Sequence, residues 1–119
     1  MNPKTILVIV SSGPYKGSDV VWNALRLAES ALENGNDARI FLINEGVDTG
    51  RGGLKPPDNF FDLAQMLTGI ANMGADIKYC KTCIDRCGIG TGEMMEEIKV
   101  GSMKDLHDWI VTSDRVVTF

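Results

Sequence analysis

All three cysteines of this 119-residue chain fall within YCKTCIDRCGIG, residues 79–90, as Cys80, Cys83 and Cys87. Clustered sulfur of this kind serves as a metal site, a redox pair, a reactive thiol with bystanders, or small core packing. The spacing C-x2-C-x3-C offers three thiolates, whereas structural zinc takes four ligands from two separated knuckles and an iron–sulfur cubane wants a fourth cysteine. There is no second CxxC. The one histidine, His107, falls on a separate predicted helix whose inner stripe is Leu106, Trp109 and Ile110, so it reads as a surface or partly packed residue. Neither a metal nor a cofactor is expected.

Position favours Cys80 as the nucleophile. Asp76–Tyr79 reads as a short strand that delivers the chain to Cys80, and a short helix is predicted from Lys81 to Cys87, ending at Gly88. A thiol at a helix start faces unpaired N–H groups and the positive end of the dipole, both of which favour thiolate. Lys78, Lys81 and Arg86 add positive charge nearby, and Asp76 and Asp85 oppose it. On such a helix positions 80, 83, 84 and 87 share one stripe, while Lys81, Thr82, Asp85 and Arg86 face solvent. Cys87 lies a full turn beyond Cys83 beside Ile84, and a core role is expected for it. Cys83 forms a CxxC with Cys80, which fits either a thiol that resolves a disulfide or persulfide or a structural residue.

The elements around this segment alternate. Thr5–Val10 (TILVIV) is a continuous apolar run suited to a strand covered on both faces. Residues 19–34 carry apolar positions at helical spacing, with Ser18 or Asp19 as N-cap and Gly35 just past the end. Ala38–Ile43 is a second buried-strand pattern, and a Gly- and Pro-rich loop follows over residues 44–59, long enough to be mobile or functional. Helical spacing returns from Phe60 to Ala71 and closes at Gly74. After the cysteine helix, a fourth strand is predicted at Glu97–Val100, a helix at Met103–Ser113 with Ser102 as N-cap and Asp105 in its first turn, and a fifth strand at Arg115–Thr118. The order β-α-β-α-β-α-β-α-β implies a mostly parallel sheet with helices on both faces, in which functional groups gather beyond the carboxyl ends of the strands.

Bulk properties narrow the function. The length fits one compact core, and 44% hydrophobic with 24% charged residues is ordinary for a globular protein. A net charge of −4 supplies no field for a phosphate backbone or an anionic lipid surface, so neither nucleic acid nor membrane is an expected partner. With no leader pattern and no run approaching a membrane span, the cytoplasm is expected, where an odd number of cysteines stays reduced. GIGTG (Gly88–Gly92) follows a helix instead of opening one, and TGRGG (Thr49–Gly53) lacks the Walker lysine and serine; both read as turns or flexible loop, with Arg51 and Lys55 placed to guard a thiol site.

The strand ending in a cysteine, CKTCIDRCGI with glycine eight positions after the first cysteine, INEGV at Ile43–Val47, and EIKVGSMKDLHDWIVTSDRVVTF together resemble the DsrE/DsrF-like family of small sulfur-relay proteins, including its YchN-like and TusD-like branches. The resemblance covers nearly the whole chain and implies one domain over residues 1–119. It further implies a three-layer α/β/α sandwich with a mostly parallel five-stranded sheet, often assembled as trimers or hexamers, in which a cysteine after the third strand carries sulfur as a persulfide. By its distance to the glycine turn that cysteine is Cys80; Cys83 matches the second thiol of branches with CxxC, and no role transfers to Cys87. The leading expectation is therefore a cytoplasmic sulfur carrier, sulfurtransferase-like, that meets donor and acceptor proteins. Two others stay open: a dithiol redox or redox-sensing protein cycling Cys80 and Cys83, and a non-enzymatic oligomeric binding module using the loop around Arg51 to Pro57.

Overall fold

A computed structural model describes residues 2–58 and 60–119. Asn59, the last residue of the expected long loop, and Met1 lie outside the described residues. Five strands, β1 (Thr5–Val10), β2 (Asp37–Leu42), β3 (Asp76–Cys80), β4 (Lys99–Gly101) and β5 (Arg115–Thr118), form one sheet in the order β4-β3-β2-β1-β5. Every neighbouring pair is parallel. The helices are α1 (Val20–Glu33), α2 (Leu63–Asn72), α3 (Lys81–Arg86) and α4 (Met103–Thr112).

Alternation along β2 shows how the layers divide. Ala38, Ile40 and Leu42 are buried on the side where α1 and α2 pack, whose Leu25, Ala28, Leu67 and Ile70 are fully inaccessible. Phe41 points the other way and meets Trp109 of α4 edge-on, with centroids 6.1 Å apart. Arg39, on the same face, donates from Nη1 to Thr112 Oγ1 at 2.7 Å and Ser113 Oγ at 3.2 Å, which ties the end of α4 to the sheet. The α/β sandwich anticipated from the alternating elements is thus the one adopted. Among the described residues no helix is long and apolar enough to cross a membrane.

Local chemistry sets most boundaries. Ser102 caps α4: its Oγ accepts from the Asp105 N–H at 3.2 Å, and the Asp105 carboxylate accepts the Ser102 N–H at 2.8 Å in return. Asp19 occupies the N-cap of α1 without a side-chain bond, and the nearby Ser18 Oγ accepts from the Val20 N–H instead. The strand β4 is shorter and later than the predicted Glu97–Val100. Ile110 departs from the expected inner stripe of α4: it is exposed, Trp109 is half-buried, and Leu106 alone in that helix is buried.

Two differences concern the segment before α2. The helix begins at Leu63, not at Phe60, because Asp62 caps it by accepting the Gln65 N–H. Phe60 and Phe61 serve tertiary contacts, the first edge-on to Tyr15 at 5.9 Å and the second stacked on Trp22 at 4.5 Å. The expected loop also opens with structure, since Asn44–Gly50 is a 3₁₀ turn with Gly46, Val47, Thr49 and Gly50 buried. It docks over the end of β1 so closely that a Cβ on Gly46 would lie 2.0 Å from the Val10 carbonyl oxygen. Gly69, inside α2, has open space around it. Gly46→Ala should therefore destabilise the protein by about 2 kcal/mol or more, whereas Gly69→Ala should stabilise it by roughly 0.5–1 kcal/mol; urea unfolding of the two variants beside the parent checks both signs.

Candidate thiol site

Parallel pairing brings the carboxyl ends of β1, β2 and β3 side by side, and the next residues carry the polar groups: Ser11 after β1, Asn44 just past β2, and Cys80 as the last residue of β3. Cys80 is also the N-cap of α3, and its Sγ accepts the N–H of Cys83 at 3.3 Å. The CxxC spacing has thus become a cap in which one thiol holds the backbone of the other. Despite its place at a strand end, Cys80 is buried, with 6% of its surface exposed.

Cys83 is partly exposed and sits one turn along α3. Its Sγ accepts a hydrogen bond from the Asn44 N–H at 3.3 Å. Asn44 itself holds a left-handed backbone, φ +54, a conformation that asparagine tolerates better than most residues. The side chain of Asn44 fixes the turn by donating from Nδ2 to Ser11 Oγ at 3.0 Å. Neither Asn44 nor Ser11 stands out by residue type; the signal that could have found Asn44 is an asparagine placed between a strand end and Glu-Gly, where a left-handed residue serves a turn. Burial and the neighbouring Cys80 push the Cys83 thiol above its ordinary value, while the Asn44 N–H and the Arg86 charge act in the opposite sense.

The third cysteine contradicts its expected core role. The helix α3 has six residues and stops at Arg86, leaving Cys87 as an exposed C-cap. Gly88 then turns the chain with φ +72, and the core position beyond Ile84 is filled by Ile89. Nor do all the nearby cations serve the thiols. Lys81 pairs with Asp85 at 2.6 Å, and Lys78 turns away to Asp105 at 3.5 Å and the Trp109 ring.

Arg51, expected near the site, instead bridges Asp48 at 3.4 Å and Glu93 at 3.1 Å, joining the 3₁₀ turn to the segment after α3. Lys55 lies on the exposed stretch beyond it. The Gly90 N–H donates to the Glu93 carboxylate at 2.8 Å, so the glycine cluster bonds to its own chain as a turn does. Among the described residues no group of three or more His, Cys, Asp or Glu is placed to hold a metal ion.

Residues 4–119 match the DsrE/DsrF-like family. The chain belongs to that family. Protein YchN of Escherichia coli K12 is 35% identical over 115 residues, covering 95% of this chain and 97% of YchN. An uncharacterized protein of Methanopyrus kandleri, MK0008, is 34% identical over 114 residues, covering 96% and 93%. The crystal structure of the E. coli YchN protein superposes with a TM-score of 0.89 at 33% identity, covering 98% of this chain and 99% of that one. This DsrE/DsrF-like chain therefore shares its fold, over nearly its whole length, with the E. coli YchN protein.

Asn44 should be separable from its neighbours by pH. In a Cys87→Ser background, Asn44→Gly retains the left-handed turn and its N–H, whereas Asn44→Val strains it and draws the donor from the Cys83 sulfur. Removing a donor to the thiolate raises the Cys83 value further, so its alkylation should shift to higher pH in Asn44→Val and stay near the parent profile in Asn44→Gly. Coincident profiles for all three proteins would show that the Asn44 N–H does nothing for the thiolate.

Proposed function

We propose that this protein is a sulfur carrier, holding sulfur as a persulfide on Cys80 and passing it to an acceptor thiol. The observation that carries this reading is the pairing of Cys80 with Cys83 at the carboxyl end of β3, in a chain of the DsrE/DsrF-like family. Chemically the carrier needs little: a thiolate attacks the outer sulfur of a donor persulfide, the donor leaves as a thiolate, and the sulfur is later taken by an acceptor through the same exchange. No acid–base array is needed for such a step, since both the attacking and the departing groups are thiolates. A buried Cys80 suits storage, because a persulfide there is withdrawn from bulk reductants.

The reading places the protein in the cytoplasm with a donor and an acceptor protein as partners, and includes assembly into a trimer or hexamer. A strip of exposed apolar side chains on α4, Met103 at 65% and Val111 at 68% beside Ile110, supports self-association. Light scattering on the purified protein should give three or six times the chain mass, and a monomer at micromolar concentration would remove that part of the reading.

Intact-mass spectrometry tests the carrier itself. After brief exposure to glutathione persulfide, a chase with added glutathione and desalting, native parent protein should retain one added sulfur atom, and Cys80→Ser should retain none. Parent protein that emerges unloaded overturns the reading. If it emerges instead with a Cys80–Cys83 disulfide and no added sulfur, the dithiol redox function takes its place, a result that the i, i+3 spacing and the N–H bond between the two residues make specific.

A further inference from the structure

The exposure of the cysteines increases outward along α3: Cys80 is buried, Cys83 is partly exposed, and Cys87 stands in solvent at the helix end. A donor protein approaching the carboxyl end of the sheet meets Cys83 before Cys80. The sulfur of Cys83 is also the one gripped from outside α3, by the N–H of Asn44, while Cys83 in turn donates its own N–H to the Cys80 sulfur. One thiol faces the partner and the other faces the core, joined by a single turn of helix. We infer that Cys83 is the exchange port of the site and Cys80 its inner store, with sulfur moving between them by transpersulfidation in both loading and release. This inference rests on the carrier reading and specifies the order of transfer within it.

The steps balance without an oxidant or reductant. In loading, the Cys83 thiolate attacks the outer sulfur of the donor R–S–SH; the donor S–S bond breaks, its electron pair leaves with R–S−, and Cys83–S–SH forms. The Cys80 thiolate then attacks the outer sulfur of Cys83–S–SH, giving Cys80–S–SH and returning Cys83 to thiolate. Release is the reverse sequence, ending on an acceptor thiolate. Asn44 has a defined part in this exchange: its N–H is aimed at the atom that carries negative charge each time Cys83 attacks or departs, and its bond to Ser11 keeps it aimed. Attack on the inner sulfur of Cys80–S–SH would follow a different course, expelling HS− and leaving a Cys80–Cys83 disulfide that only an external thiol reductant could reopen.

Time-resolved loading separates these courses. Full-length protein in a Cys87→Ser background is exposed to glutathione persulfide, quenched with an alkylating agent at intervals and mapped by peptide mass spectrometry, with Cys83→Ser, Cys83→Ala and Cys80→Ser compared. The port predicts sulfur on Cys83 first and on Cys80 later, with loading of Cys80 slowed by about tenfold or more in both Cys83 variants because the buried thiol must meet the donor unaided. In Cys80→Ser, sulfur should reach Cys83 at the parent rate and be lost quickly to added glutathione. If Cys80 loads and discharges at the parent rate in Cys83→Ser and Cys83→Ala, the port is wrong and the carrier reading stands. If no cysteine gains sulfur in any of the proteins, the carrier reading falls and the port with it. Sulfur that first appears on Cys80 and is then released as HS− with accumulation of the disulfide overturns the port in favour of a reductive discharge, whereas a disulfide formed with no prior persulfide on either residue overturns the carrier reading as well.

Discussion

The thiol end of this protein hangs on a close approach between Gly46 and the Val10 carbonyl, where no side chain fits. Because the 3₁₀ turn can lie down over the end of β1, the residue that starts it, Asn44, falls between Ser11 and Cys83. The sheet sets the stage for this, since three adjacent parallel strands must end on the same side. The glycine decides what happens there, closing the gap between one strand end and the next with backbone rather than side chain. Much of the rest follows: Val47 is buried beneath the turn, and Arg51 clasps it to the segment beyond α3 through Glu93.

Most of the scaffold was legible in the sequence, and the reasons are local. A strand buried on both faces, such as β1, shows as an unbroken apolar run, and the capping pair of Ser102 and Asp105 marks the start of α4 within three residues. Cys80 was placed at a strand-to-helix junction by the same kind of local pattern. What escaped detection depends on distant partners. Phe60 and Phe61 continue the helical spacing of α2 but are drawn off by Tyr15 and Trp22, and Cys87 shares the stripe of Cys83 only if α3 runs one residue longer than it does. The grip of Asn44 on Cys83 spans 39 residues of sequence, and no periodicity encodes it.

As a sulfur carrier of the kind proposed, the site would separate two demands that a single thiol meets poorly. Capture of sulfur from another protein asks for access, and retention of a reactive persulfide asks for shelter. Dividing them between Cys83 and Cys80 would let each residue keep the environment that suits it, at the cost of a second exchange step. Lys81 and Lys78 are occupied by Asp85 and Asp105, Arg86 acts on Cys83 through its charge, and the hydrogen-bond donors seen at both sulfurs are backbone N–H groups.

The strand order also governs how the chain is completed during synthesis. The strands β1 to β4 pair in the order in which they leave the ribosome, but the second edge of β1 waits for β5, and the bond from the Thr5 N–H to the Asp114 carboxylate closes a separation of 109 residues. Until then β1, an apolar interior strand of the finished sheet, is an open edge, able to accept a strand from another nascent chain. Pairing of β5, a strand of four residues, with β1 removes that opportunity for mispairing.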